Sequence, residues 1–561
     1  MASERGSQAR VARPGASGGA PTGSRDYDVI VVGGGHNGLV AAAYFARAGA
    51  RVVVLEARSR VGGAVDTSAP FADHPDIRVS TYSYVMSLMP AFIIDDLGLR
   101  RHGYDVTPFG PYYQAFPDGR SITIFGDDPR RTAESVSQFS RRDAETLPRW
   151  EAWLHGVTDV IGPLLHQVPP RVGSLAPGDL LAQAQAAWRI RRLGTRGVAD
   201  VIRLFSMSIS DLLDRWFESE QMKTIMMVDG LIGQWAGPDE PGTAYVLLHH
   251  AVGGVGGESK VVNWGFPQGG MGAVSRAIAR SAESRGAEIR VDAPVRQILV
   301  RGGRATGVAL TSGEELTAPI VVSCVHPKVG FLELVDRDAL PEGFVADIEA
   351  WRSRSGVVKI NVAMSELPDF IADPGTEQQD HHTGSVELCW SREYAERAFQ
   401  DAHLEHRGAL APFVDGAIPT TMDRDLAPDG IHVFSMFSQW VPHEWNAEPH
   451  REELEAYADR AIDLYTQLAP NFRSAVIDWQ VIGPYDMEQD LGLIGGNIFH
   501  GELTVDQLFH MRPSPGYADY RTPIRGLYHG SSATHAGGGV NGIPGWQAFL
   551  AARHDRAHRR R

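Results

Sequence analysis

A chain of 561 residues, 43% hydrophobic and 22% charged, exceeds what one simple core can organise and reads as a globular protein of two lobes. Its formal charge of −15 argues against a nucleic-acid partner, since a phosphate backbone needs a basic face. No apolar run reaches the roughly 18 residues of a membrane span. The nearest, Tyr84 to Ile94, is broken by Pro90 and followed by Asp95-Asp96, so at most peripheral membrane contact is expected.

Met1 to Arg25 is rich in Gly, Ala, Ser and Arg with one acid, Glu4, and reads as a disordered leader. The alternative is a transit peptide, which would direct the chain to the mitochondrial matrix. Otherwise a cytoplasmic location is expected. Tyr27 to Val32 is a β-rich run of the kind buried on both faces of a parallel sheet. It enters Gly33-Gly34-Gly35-His36-Asn37-Gly38, where Gly33, Gly35 and Gly38 form G-x-G-x-x-G. Gly33 makes the tight turn, Gly35 admits a pyrophosphate to the backbone, and Gly38 lets the helix lie close on the strand. The predicted helix runs over Leu39 to Ala48 and stops at Gly49. A second strand, Arg51 to Leu55, delivers Glu56, whose carboxylate suits an adenosine ribose and argues against a 2′-phosphate. Arg60-Val61-Gly62-Gly63 extends this unit in the manner of an FAD site.

Further along, Phe266 to Met271 leads into an amphipathic helix over Gly272 to Arg285. Strands are predicted at Glu288–Val291, Val295–Val300, Gly307–Leu310 and Ile320–Ser323, with a hairpin at Gly302-Gly303. Near the C-terminus, Gly526 to Gly542 is a strand, a turn through Ser531-Ser532-Ala533, and a glycine run including Gly538 and Gly539. A helix over about Asn541 to Ala552 follows, again a design that receives an anion. The basic run Arg553 to Arg561 reads as a solvated helix end. The cofactor domain is therefore expected to be discontinuous, built from 26–100, 262–348 and 498–561. Residues 101–261 and 349–497 form the substrate lobe. Only two cysteines occur, Cys324 and Cys389, without a C-x-x-C pair, which excludes a dithiol relay and fits a reducing compartment.

In that order, the Gly33–Gly63, Pro267–Met271 and Gly526–Gly542 motifs resemble the carotenoid and retinoid oxidoreductases, the phytoene desaturase family. His36 to Ala42, Gly356 to Asn361, Gly495 to Gly501 and Asp506 to Phe509 resemble one branch of it in particular. That branch is named for the pyridine nucleotide-disulfide oxidoreductase domain protein. The resemblance implies an α/β (α+β), two-lobed FAD-dependent oxidoreductase with a mixed substrate lobe. It places the Val295 backbone against the adenine. Where such relatives show G-x-G, this chain has Ser531-Ser532-Ala533 before Thr534-His535; small residues keep the close approach, and the hydroxyls suit a phosphate.

Two residues are the candidates for chemistry. Lys359, in the alternating run Val357 to Val362, resembles in placement the lysine that holds a water against the flavin in amine oxidases. A solvent-facing lysine on an edge strand would look the same in sequence. His535, which precedes the last glycines, is a candidate to orient or protonate; a structural histidine is the alternative. His500 and Gln507 are candidates for the cavity wall. His249-His250 and His381-His382 would point apart on a strand and make poor ligands, so no metal is expected. The apolar stripe Val201, Ile202, Phe205, Ile209, Leu212, Leu213 and Trp216 reads as a core-facing helix, or as one that faces a membrane. The function expected is hydride removal from a small apolar, polyene- or prenyl-like substrate, with oxygen or a quinone as acceptor. The alternatives are a flavin amine oxidase acting on a C–N bond and a non-enzymatic FAD-binding scaffold. Gly253 to Gly257 has no clear acidic partner, so no separate NAD(P) domain is expected.

Overall fold

The computed structural model describes residues 26–170, 173–175, 177–255 and 264–558. The leader, Gly256-Gly257 and the last three arginines therefore lie outside the described residues.

The valine- and isoleucine-rich run Val29–Val32 is buried at every position because it is the middle strand of a five-stranded parallel sheet. The order is Leu527–His529, Ile320–Ser323, Val29–Val32, Val52–Leu55, Glu288–Arg290. Three distant parts of the chain thus close one sheet. The helix His36–Arg47 crosses between the first two strands in sequence and packs against the helices Met271–Glu283 and Ile543–His558. The last helix approaches it closely, for a Cβ on Gly545 would lie 2.0 Å from the Asn37 carbonyl oxygen. On the opposite face, Val295–Arg301, Arg304–Leu310 and Glu315–Thr317 form an antiparallel sheet whose first hairpin turns at Gly302 and Gly303, both with positive φ.

The second lobe is built on a seven-stranded sheet. Its order is Val476–Ile482, Val357–Met364, His432–Gln439, Phe413–Ala417, Ser385–Leu388, Tyr112–Ala115, Ser121–Ile124. All pairings are antiparallel except Ser385–Leu388 with Tyr112–Ala115, so the sheet is mixed. The helix Glu220–Leu231 packs against the Tyr112–Ala115 and Ser121–Ile124 end of it. Phe499, Leu503 and Leu508 pack into this lobe's core, although the sequence pattern assigns everything after 497 to the cofactor part. Short 3-10 turns shape that segment, and they carry no hydrophobic period to read.

The stripe at 201–216 is split between two helices, Gly194–Ser206 and Ile209–Asp214, because Ser208 caps the second by accepting from the Asp211 amide at 3.0 Å. Val201, Leu204, Ile209, Leu212 and Leu213 face the core, while Ile202 is exposed. No helix among the described residues is long and apolar enough to cross a membrane.

Candidate active site

One cavity of about 170 Å³ lies between the two lobes. At one end it is bounded by Gly35, His36, Gly62, Ser532, Gly539 and Val540; at the other by Tyr84, Lys359, Ser385 and Asp415. Aromatic and aliphatic walls connect them, among them Phe109, Trp264, Phe437 and Ile498.

The glycine end fits FAD. A Cβ on Gly35 would meet no atom within 4 Å, so its missing side chain opens onto the cavity. Gly33 turns at φ +96°, and a Cβ on Gly38 would sit 2.0 Å from the Gly33 carbonyl oxygen. The helix His36–Arg47 starts at Gly35 without a side-chain cap, which leaves its first turn to receive an anion. His36 Nε2 is buried with no partner beside the same turn. Gly62 and Gly63 both have positive φ, and Gly62 forms a bridge to Gly35. Glu56 is buried at the tip of its strand; one carboxylate oxygen accepts from the Gly34 amide at 2.7 Å and the other from the Arg58 amide at 2.9 Å. Those bonds fix its orientation and leave lone pairs for ribose hydroxyls. Val295 opens the strand beyond Asp292 and Ala293, whose amides bond the Arg58 and Glu56 carbonyls, so it lies at this same end. Arg60 is turned to Asp66 at 2.8 Å and is half exposed; Arg58 is the better-buried guanidinium, and it also bonds the Gly63 carbonyl at 3.3 Å. Ser532 joins the C-terminal turn to the first helix by accepting from Asn37 Nδ2 at 3.1 Å. Ser531 instead faces His529 at 3.0 Å, and a Cβ on Gly538 would clash with the Phe499 backbone.

The other end follows from strand register. Ile482, Lys359, Phe437, Asp415, Glu387, Gln114 and Ile122 are consecutive partners across all seven strands. Partners in one row share a face. Lys359 is therefore interior, 1% exposed, on a strand with neighbours on both sides, not on an edge. Its Nζ donates to Asn361 Oδ1 at 2.5 Å and to Ser435 Oγ at 2.6 Å, and lies 5.5 Å from the centre of the Tyr84 ring. Burial lowers its pKa to about 7, partly opposed by Asp415. Tyr84 donates its hydroxyl to Asp415. Ser385 Oγ lies 2.5 Å from an oxygen of Asp415 and is also bonded to Glu387. A serine has one proton to donate, so one of the two acids is protonated. Burial holds both carboxyls above their ordinary range, and for Glu387 the neighbouring Asp415 adds to it. Asp229 is likewise pushed up to about 8 by burial and by Asp415. A lone acid inside the apolar runs at 386–388 and 413–417 was the available signal for this group, and sequence reasoning passed over it.

His535 does not line this space. Its Nε2 bonds the Leu164 carbonyl at 3.0 Å, its ring packs on Phe509, and burial lowers its pKa to about 4. It fastens the end of the helix Arg141–Leu165 to the glycine turn. Gln507 is also structural, bonding the Arg352 amide and carbonyl, whereas His500 does border the cavity. The paired histidines lie on no strand. His249 and His250 occupy a helix, and His381 and His382 a 3-10 turn that brings their Nε2 atoms to 3.1 Å. No metal-ligand cluster occurs among the described residues. Both cysteines are free, and burial raises both thiols, Cys324 to about 12.

Sequence reasoning also missed Arg512. It is 1% exposed, and its guanidinium donates to the carbonyls of Phe499, Gly501, Glu502, Gln507, Ser532 and Thr534 at 2.8–3.3 Å. One buried cation thus fastens the cofactor turn to the segment that walls the cavity.

Residues 31–92 match the NAD(P)-binding Rossmann-like domain, and residues 179–476 match the flavin containing amine oxidoreductase family. The chain is 38% identical to pyridine nucleotide-disulfide oxidoreductase domain-containing protein 2 of Rattus norvegicus, over 93% of this chain and 92% of that one. It is 24% identical to the lycopene-forming phytoene desaturase of a Paracoccus species, over 92% of this chain and 95% of that one. Among solved structures, cyclohexylamine oxidase from Brevibacterium oxydans superposes with a TM-score of 0.56 at 18% identity, covering 95% of this chain and 100% of that one, which shows a shared fold. With its discontinuous Rossmann-type lobe, its FAD-fitted glycine turns and these matches, the chain belongs to the flavin-containing amine oxidoreductases, in the family of pyridine nucleotide-disulfide oxidoreductase domain-containing protein 2, and is an FAD-dependent oxidoreductase.

Proposed function

We propose that the enzyme oxidises an apolar amine at the carbon next to nitrogen, with oxygen as the electron acceptor. The observation that carries this reading is the polar end of the cavity, where Asp415, held by Tyr84 and Ser385, faces an otherwise apolar space beside Lys359. An ammonium entering that end loses its proton to the carboxylate pair, which has room for one more, and the neutral amine is the form that gives up hydride. FAD, when bound, supplies the hydride acceptor. Phe109, Trp264, Phe437 and Ile498 hold the hydrocarbon part and exclude water. Lys359, neutral above about pH 7, is a second base at this end and can receive at Nζ the proton that the ammonium gives up. The match to the amine oxidoreductase family across 179–476 supports the same choice. Incubation in air with a panel of primary and secondary amines tests it. Carbonyl product and peroxide are expected in equal amounts, and Asp415→Asn should lower kcat/KM by roughly 100-fold or more. No turnover of any amine would contradict it.

A second reading, hydride removal from a polyene or prenyl-like hydrocarbon, is favoured by those apolar walls and by the motif likeness to phytoene desaturases. It gives no task to the carboxylate pair.

A further inference from the structure

Twelve large apolar side chains are exposed among the described residues, and six of them lie between residues 168 and 202: Val168, Leu175, Leu180, Leu181, Trp188 and Ile202. The helix Pro177–Arg191 has no buried residue at all. Its exposed positions 180, 181, 184, 187, 188 and 191 recur at helical spacing, so Leu180, Leu181, Ala184, Ala187 and Trp188 form one outward stripe that ends at Arg191. A helix of this length draws most of its stability from a packed apolar face. Among the described residues this face has no cover.

Charge says what covers it. In a chain of net charge −15, residues 177–206 hold five arginines (189, 191, 192, 196 and 203) against Asp179 and Asp200. Arg192 lies over the Trp188 ring, 5.1 Å from its centre, which sets a cation beside the apolar stripe. Trp and Leu on the outward face with arginines at its end would set apolar side chains at an acyl boundary and guanidinium groups among anionic headgroups.

We infer that the helix Pro177–Arg191, with the arginines that follow it, docks the enzyme on an anionic lipid surface without crossing it. A second copy of the chain is the competing occupant, and the two make opposite predictions. The purified full-length flavoprotein is floated with phosphatidylcholine vesicles, with and without phosphatidylglycerol, at low and high salt. It should float with the anionic vesicles and be released by salt. Leu181→Ser with Trp188→Ser should weaken partitioning roughly tenfold or more, and Arg191→Glu with Arg192→Glu roughly fivefold or more per residue. Flavin content should not change in either variant, since neither pair touches the cavity. Failure of the wild type to float with anionic vesicles, or equal flotation of the variants, would overturn the inference. So would light scattering that shows an oligomer which Trp188→Ser converts to monomer, since the face would then belong to a second copy.

Discussion

Gly35 and Gly38 stand three residues apart in one fingerprint, yet the space around them predicts different failures. A side chain at Gly35 enters the cavity and meets nothing of the protein, so Gly35→Val should fold and melt like the flavin-free wild type while retaining no FAD. A side chain at Gly38 runs into the Gly33 carbonyl, so Gly38→Val should lower stability by roughly 3 kcal/mol whether or not FAD is present. Paired melting curves and flavin spectra separate the two; a yellow Gly35→Val protein would remove the site. Lys359 makes a pH prediction. Its pKa falls from 10.5 to about 7 on folding, so between those values the unfolded chain binds the extra proton and stability rises with pH. Lys359→Met should flatten that rise in melting temperature and abolish the gain in kcat/KM as pH increases through about 7, with FAD still bound. An unchanged pH profile would reduce Lys359 to a packing role.

The seven-stranded sheet decides which side chains meet. Its register row sets Lys359, Asp415 and Glu387 on one face, and no local pattern in the sequence reveals that alignment. By contrast the Rossmann part was legible, because strands buried on both faces read as unbroken valine and isoleucine runs and the turns need glycine at positive φ. Lys359 could be named from its motif, but its burial depends on Val476–Ile482 pairing outside it, which is a long-range event. His535 stands out by its neighbours in sequence, whereas its ring serves the helix Arg141–Leu165, far away in the chain. Asp229, on the helix Glu220–Leu231, provides a stability test of the acidic cluster. Its pKa is raised from 3.8 to about 8, so the folded state holds the proton longer and stability falls as pH rises through that window. Asp229→Asn should flatten this fall in urea unfolding between pH 4 and 8; an identical slope would mean the carboxyl is ionised in the fold. Arg512→Met should cost about 3 kcal/mol or more by leaving buried carbonyls without donors, and should loosen FAD through the Ser532 turn. Wild-type flavin retention in that variant would show the turn stands without it.

At the scale of the molecule, three chain segments build the FAD lobe and a mixed sheet supplies the opposite wall, with the cavity between them. Discontinuity of this kind was readable because each segment carried its own glycine motif. Where the second lobe takes over after residue 497 was not, because packing against a distant core fixes that boundary. The arrangement lines one end of the cavity with the glycine turns that fit the cofactor and the other with Tyr84, Lys359, Ser385 and Asp415. The most direct measurement is the visible spectrum of the purified protein under anaerobic conditions, recorded before and after addition of amines and, separately, polyenes. Oxidised flavin bands that an apolar amine bleaches and a polyene leaves intact are expected, with bleaching slowed in Asp415→Asn. Bleaching by polyenes alone would contradict the amine reading while keeping the flavin site, and a colourless protein that takes up no FAD would contradict both.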